Sequence, residues 1–119
     1  MAAAIYDIVV EQGADFTLGL QLKNGRGVPF DLTGVTATAQ IRQNITDSAA
    51  LADFDIVFDY NRNTGKFTLS IPASITEVLT FVTGEWDLKF AYANGDKKRI
   101  LKGKVTLSRQ VTRSDVVVP

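Results

Sequence analysis

The chain predicts an all-β domain, a sandwich or barrel, on three observations. Apolar and polar residues alternate with period 2 in several short runs along the 119 residues. Turn signals built from Gly, Asn, Asp and Pro separate those runs, and only one short segment has helical spacing. The length fits one domain over residues 1–119, which buries roughly 65% of the surface its unfolded chain exposes.

The elements follow in order. A first strand spans Ile5–Gln12 and stops at the Gly13 turn. A second spans Asp15–Lys23, with Phe16, Leu18, Leu20 and Leu22 on one face and Thr17, Gly19, Gln21 and Lys23 on the other. The segment "NGRGVPFDLTG" is rich in turn residues, and its Asp31, Thr33 and Gly34 form a strand-entry turn. A third strand then places Val35, Ala37, Ala39 and Ile41 inward and Thr36, Thr38, Gln40 and Arg42 outward. Two alanines on the buried face leave room for larger neighbours across the sandwich. Residues 44–52 read as a loop.

"FDIVFDYNRNTGKFTLSI" reads as a hairpin with a definite register. A loop at Asn61–Thr64 sets Phe58 opposite Phe67 and Ile56 opposite Leu69 inside, and Asp59 opposite Lys66 outside, with Tyr60 continuing the inner parity. A short helical crossover is expected over 73–81, where Ile75, Val78 and Leu79 follow Pro72 at helical spacing. In the last hairpin, Asn94-Gly95 predicts a two-residue type I′ turn. That turn sets Leu88 opposite Leu101 and Trp86 opposite Gly103, where a missing side chain makes room for the indole. It also sets Asp87 opposite Lys102 and Glu85 opposite Lys104, while Leu101, Val105, Leu107 and Val111 point inward.

Composition narrows the chemistry. With 45% apolar and 22% charged residues the chain is an ordinary globular protein. It has no Cys and no His, which excludes disulfides, the usual zinc, haem and iron–sulfur ligand sets, and His-dependent nucleophilic or acid–base catalysis. The expectation is no enzyme, no cofactor and no metal. Net charge is zero, yet residues 1–59 carry eight acids and three bases, and residues 60–119 five acids and ten bases. The basic run Lys97–Arg113 would be the place for nucleic acid, but two of its lysines find carboxylates across the ladder, so a solvent-facing strand is the better reading. "MAAAIYDIVV" lacks the features of a signal peptide and no apolar run would span a bilayer, so synthesis in the cytoplasm is expected, with no membrane partner.

Three motifs reduce to ordinary structure. "DYNRNTG" begins like an oxygen-rich calcium loop, but its glycine comes one position late and Ser70 stands where a glutamate is needed, so a hairpin loop fits better. Asp53, Asp55 and Asp59 share one outer strand face, and Glu85 and Asp87 another; evenly solvated acids do not make a glycoside-cleaving pair. Trp86 and Tyr92 could stack a sugar, but they share parity with Leu88 and Phe90 and read as core. The apolar ends "IYDIVV" and "DVVVP" are strands that either complete the domain's own sheets or dock a neighbour.

"EQGADFTLGLQL", "GVPFDLTGVTATAQIRQ", "GKFTLSIPASITEVL" and "GEWDLKFAYANGDKKRILKGKVTLSRQVTR" occur here in the order seen in a family of small proteins. The chain resembles those proteins, which are encoded among the tail genes of phages and prophages of Gram-negative bacteria. Related modules are similar to the attachment domains of baseplate and tail-fibre proteins. The resemblance implies an immunoglobulin-like antiparallel β-sandwich of about seven to eight strands. It also implies a non-enzymatic virion structural part that binds other tail or baseplate proteins, forms a homo-oligomer, and takes no nucleic acid or small-molecule substrate. A chain ending at Pro119 carries no fibre region, so an adaptor or accessory role is expected. An immunoglobulin-like module that binds carbohydrate or cell surfaces is the alternative. The residues expected to touch partners are Ile5, Val9, Arg26, Phe30, Arg42, Val116 and Val117, from the termini and the long loops.

Overall fold

The computed structural model describes residues 3–111. It is a β-sandwich of two sheets. The strands are β1 (Ala4–Ile5), β2 (Ile8–Glu11), β3 (Phe16–Gln21), β4 (Thr36–Arg42), β5 (Ala52–Asp53), β6 (Asp55–Phe58), β7 (Lys66–Ile71), β8 (Thr83–Ala91) and β9 (Lys97–Ser108), with one helical turn, α1 (Ala73–Thr76). The larger sheet runs β1/β2–β9–β8–β4–β5 and the smaller β3–β7–β6. The first expected strand breaks at Tyr6–Asp7. β5 begins at the end of the segment expected to be a loop, and the chain passes from the larger sheet to the smaller at buried Phe54, whose amide bonds the Ala39 carbonyl at 2.9 Å.

The sandwich is not wholly antiparallel. β1 and β2 lie parallel to β9, with Ile5 beside Lys102 and Val9 beside Thr106. The first strand therefore completes the domain's own sheet, and a sequence of alternating residues alone does not distinguish the two strand senses.

The first hairpin has the expected register: Phe58 faces Phe67 and Ile56 faces Leu69. Tyr60 does not follow the inner parity. A 3-10 turn at Arg62–Thr64 ends the alternation and leaves Tyr60 97% exposed. In the second hairpin Trp86 faces Gly103, Leu88 faces Leu101 and Asp87 faces Lys102, as read from the sequence. The turn itself differs. Asn94 does not take positive φ, so the type I′ turn is replaced by a three-residue loop closed by the bonds Gly95 N–H to Tyr92 O and Tyr92 N–H to Asp96 O. The extra loop residue shifts the pairing by one near the turn, and a bulge between Leu88 and Lys89 restores it beyond. Two departures cancel, which is why the far half of the hairpin falls where a two-residue turn would put it.

The crossover is one turn of helix, and only part of its expected apolar side is inside. Leu79 is buried as expected, but Ile75 and Val78 are exposed, and Thr76 is fully buried instead. The Thr76 hydroxyl donates to the Ala14 carbonyl at 2.8 Å and accepts from the Gly13 amide at 3.1 Å, and the Asp15 carboxylate accepts the Ala73 amide at 2.7 Å. A tight polar turn between β2 and β3 has backbone groups to satisfy, and a threonine serves them better than an apolar side chain. Val111, expected inside, is 93% exposed because β9 ends at Ser108.

The core between the sheets is aromatic. Phe16 packs edge-to-face on Phe54, and Phe54 packs tilted against Trp86, at centroid distances of 5.8 and 5.7 Å. Phe58, Phe67, Phe90 and Tyr92 form a second group. Val35, just before β4, and Ala39 and Ile41 of β4 are buried in the same core, as expected, while Ala37 is only half-buried.

Candidate docking face

The outer face of the larger sheet gathers most of the chemistry that the chain presents. Register aligns two rows of side chains across it. One row runs Ile5, Lys102, Asp87, Gln40, Asp53; the next runs Lys104, Glu85, Arg42. Gln40, Arg42, Ile45, Glu85, Asp87 and Lys102 border a shallow depression of about 150 Å3.

Arg42 organises one end of this face. Its guanidinium donates to the Gln40 amide oxygen at 3.0 Å and to the Asp47 carbonyl at 2.9 Å. Gln40 in turn donates to the Asp53 carboxylate at 2.7 Å, and the Asp47 carboxylate accepts the Asn44 amide. Arg42 thus ties the loop after β4 to the sheet and holds exposed Ile45 at the rim of the depression. The cross-strand ion pairs expected between Asp87 and Lys102 and between Glu85 and Lys104 are not formed among the described residues. Asp87 instead lies 4.0 Å from Arg99, with both side chains about half exposed, and such a pair contributes little. Lysine side chains on a flat, solvated face gain more from hydration than from a fixed partner.

The expected contact residues fall in three places. Ile5 and Val9 are 74% and 59% exposed on the first edge of the larger sheet, on the same outer face as Arg42. Arg26 lies apart, exposed in a turn held by the Asn24 side chain, which accepts the amides of Arg26 and Val28. Phe30 is half-buried against the core, and its amide bonds the Leu22 carbonyl at 2.9 Å. Val116 and Val117 lie outside the described residues.

Trp86 is likewise spent on the fold, being 3% exposed, which removes the Trp86–Tyr92 stacking platform. In "DYNRNTG" the Thr64 hydroxyl bonds the Asp59 carboxylate and the Asn61 carbonyl, each at 2.9 Å, as in a hairpin loop. Arg62 in the same loop donates to the carbonyls of Leu32 and Val35 at 3.1 and 3.0 Å and lies 4.0 Å from the Phe58 ring centroid. It ties the strand-entry turn to the first hairpin. Sequence reading missed Arg62, and also the Gln40–Asp53 bond, because both join segments whose pairing no local pattern reveals.

No family model matches the chain, and no curated protein matches it. Among solved structures, the chain is similar to an internalin-like protein of Listeria monocytogenes at 13% identity and a TM-score of 0.43. The match covers 91% of this chain and 28% of that one, so the chain spans well under a third of its neighbour's length. Among the described residues, no helix is long and apolar enough to cross a membrane.

Proposed function

We propose that the chain is a non-enzymatic structural module of a phage virion, at the tail, baseplate or fibre attachment point, acting by protein–protein assembly. The ordered series of motifs supports the family, and one structural observation supports assembly. Ile5, Tyr6 and Val9 are exposed along one sheet edge and continue into a mixed-charge outer face. An apolar edge with a polar flank suits a protein partner, which adds apolar burial at the edge and charge matching beside it. It works without cofactor, nucleic acid or small-molecule substrate, is made in the host cytoplasm and resides in the particle.

Co-expression with the products of the adjoining genes, followed by size exclusion with light scattering, tests this. A discrete complex that the double change Ile5→Asp and Val9→Asp abolishes is the expected result. Failure of the unaltered chain to join any of those products would contradict it.

A second reading, glycan or cell-surface binding, rests on Tyr60. It is 97% exposed beside an open trough lined by Gly19, Val57, Asp59, Lys66 and Thr68. Retention on a glycan array that Tyr60→Ala removes would favour this reading.

A further inference from the structure

β3 is an edge strand with an unused side. Leu22 donates its amide to the Gly65 carbonyl at 2.9 Å, which fixes the phase of the β3–β7 ladder. The even-numbered residues of β3 direct their backbone groups to β7, and Thr17, Gly19 and Gln21 direct theirs outward. Among the described residues nothing takes up those outward groups. The usual devices that blunt an edge are also missing from "FTLGLQ", which contains no proline, charge or bulge. The other edges differ: β5 has two residues, β6 begins with Asp55, and the first edge breaks at Tyr6–Asp7.

The strand is also a chemical palindrome about Gly19. We propose that two copies of the chain pair antiparallel through β3, on a twofold axis at Gly19, joining the two smaller sheets into one. In that register Gly19 faces Gly19 of the second copy, Leu18 faces Leu20, Thr17 faces Gln21 and Phe16 faces Leu22. Asp15 at one end faces Lys23 of the second copy, and the twofold repeats this attraction at the other end. Both are exposed, and although one Asp15 oxygen accepts the Ala73 amide, the other remains for a lysine. Glycine at the axis keeps the close backbone approach clear, since a Cβ built there meets nothing in its own subunit. Phe16, Leu18, Leu20 and Leu22 point at the core yet stay only partly buried, as expected of side chains whose flank a second copy would cover.

This pairing gives the assembly reading a defined self-partner but does not depend on a place in a virion. One short edge covers less than the roughly 1,200–2,000 Å2 of a stable interface, so association between about 10 μM and about 1 mM is expected.

Sedimentation of the full chain across that range tests the proposal, with Gly19→Lys and Thr17→Pro as variants. Gly19→Lys sets like charges face to face at the axis in open space, and Thr17→Pro removes an outward amide without touching the β7 ladder. The expected result is a monomer–dimer equilibrium that both variants weaken at least about tenfold, with circular dichroism unchanged. Oxidation of Gly19→Cys should give a covalent dimer, and Thr68→Cys in the central strand should not. A strictly monomeric wild-type chain, a dimer that both variants leave intact, or equal cross-linking from Thr68→Cys would overturn the pairing. Capture of adjoining gene products by a monomeric chain would overturn the pairing alone, leaving the virion reading in place.

Discussion

The indole N–H of Trp86 donates to the main-chain carbonyl of Tyr6 at 2.7 Å, across the position of Gly103. The glycine is needed there for the carbonyl rather than for the ring: a Cβ at 103 would fall on the Tyr6 carbonyl group. Next to it, the Asp7 carboxylate accepts the Lys104 amide at 2.9 Å. The break between β1 and β2 is therefore a built joint, in which the first strand bends inward to serve a buried donor that would otherwise be unpaired.

Gly103→Ala should undo this joint. The added methyl forces Tyr6 away, and the loss of stability should be about 1–3 kcal/mol, as for overpacking in general. Trp86 is the chain's one tryptophan, so its emission should shift to the red as the edge strand loosens. Gly25→Ala, where the methyl meets open space, is the control and should leave emission and melting unchanged. An unshifted Gly103→Ala protein would contradict the role given to Tyr6.

Ala39 is 3% exposed, faces Leu88 on β8 and offers its carbonyl to the Phe54 amide. Ala39→Leu should cost about 1–3 kcal/mol in thermal or urea unfolding. A neutral outcome would show spare room between the sheets at this point.

Arg62 should matter more than an arginine in a surface loop normally does. Arg62→Met keeps the aliphatic stem but removes the side-chain donor to the Val35 carbonyl and one of the two donors to the Leu32 carbonyl, which keeps the Val35 amide, at a cost of about 1–3 kcal/mol. Arg62→Lys should recover only part of the loss, because both bonds come from Nη1 of a guanidinium that rests 4.0 Å from the Phe58 ring centroid, and an ammonium lacks that planar placement. Denaturant titration of the two variants decides this, and equal stability of all three proteins would refute the tie.

Asp31 supplies the pH dependence. Its carboxylate accepts the Thr33 hydroxyl and the Thr33 amide, and these bonds hold its pKa below the ordinary 3.8. The folded state thus favours the ionised form, so its contribution is present above the unfolded value and fades as pH falls from 3.8 through the folded value. Melting of the wild type and Asp31→Ala should differ by a constant amount near neutrality and converge in that acidic window. A difference that persists unchanged into stronger acid would argue against the bond.

Local pattern carried much of this fold, and its failures have identifiable causes. Alternation and loop length located Phe58 opposite Phe67 because both strands of that hairpin are consecutive and its turn sets the register. Trp86 lies opposite Gly103 although the turn has three residues rather than the two that Asn94-Gly95 predicts, since the Leu88–Lys89 bulge offsets the longer loop. Nothing local could bring Tyr6 to Trp86, a bond that requires a parallel partner far along the chain. Tyr60 and Val111 were misplaced for a simpler reason: parity holds only while a strand continues, and both lie just past a strand's end.

The outer face was legible only in fragments. Arg42 stood out as an outward charge, but its engagement with Gln40 and Asp47 depends on how the following loop folds back. Ile5 and Val9 were legible as apolar residues at an end, and the parallel pairing with β9 explains why they are exposed while Ile8 and Val10 are buried.

Assembly into a particle is tested most directly by mass spectrometry of phage particles purified after induction of the strain that carries the gene. Peptides of this chain are expected in fixed ratio to the tail proteins through successive purification steps. A chain that is expressed in the lysate yet absent from particles that retain their tails would contradict it.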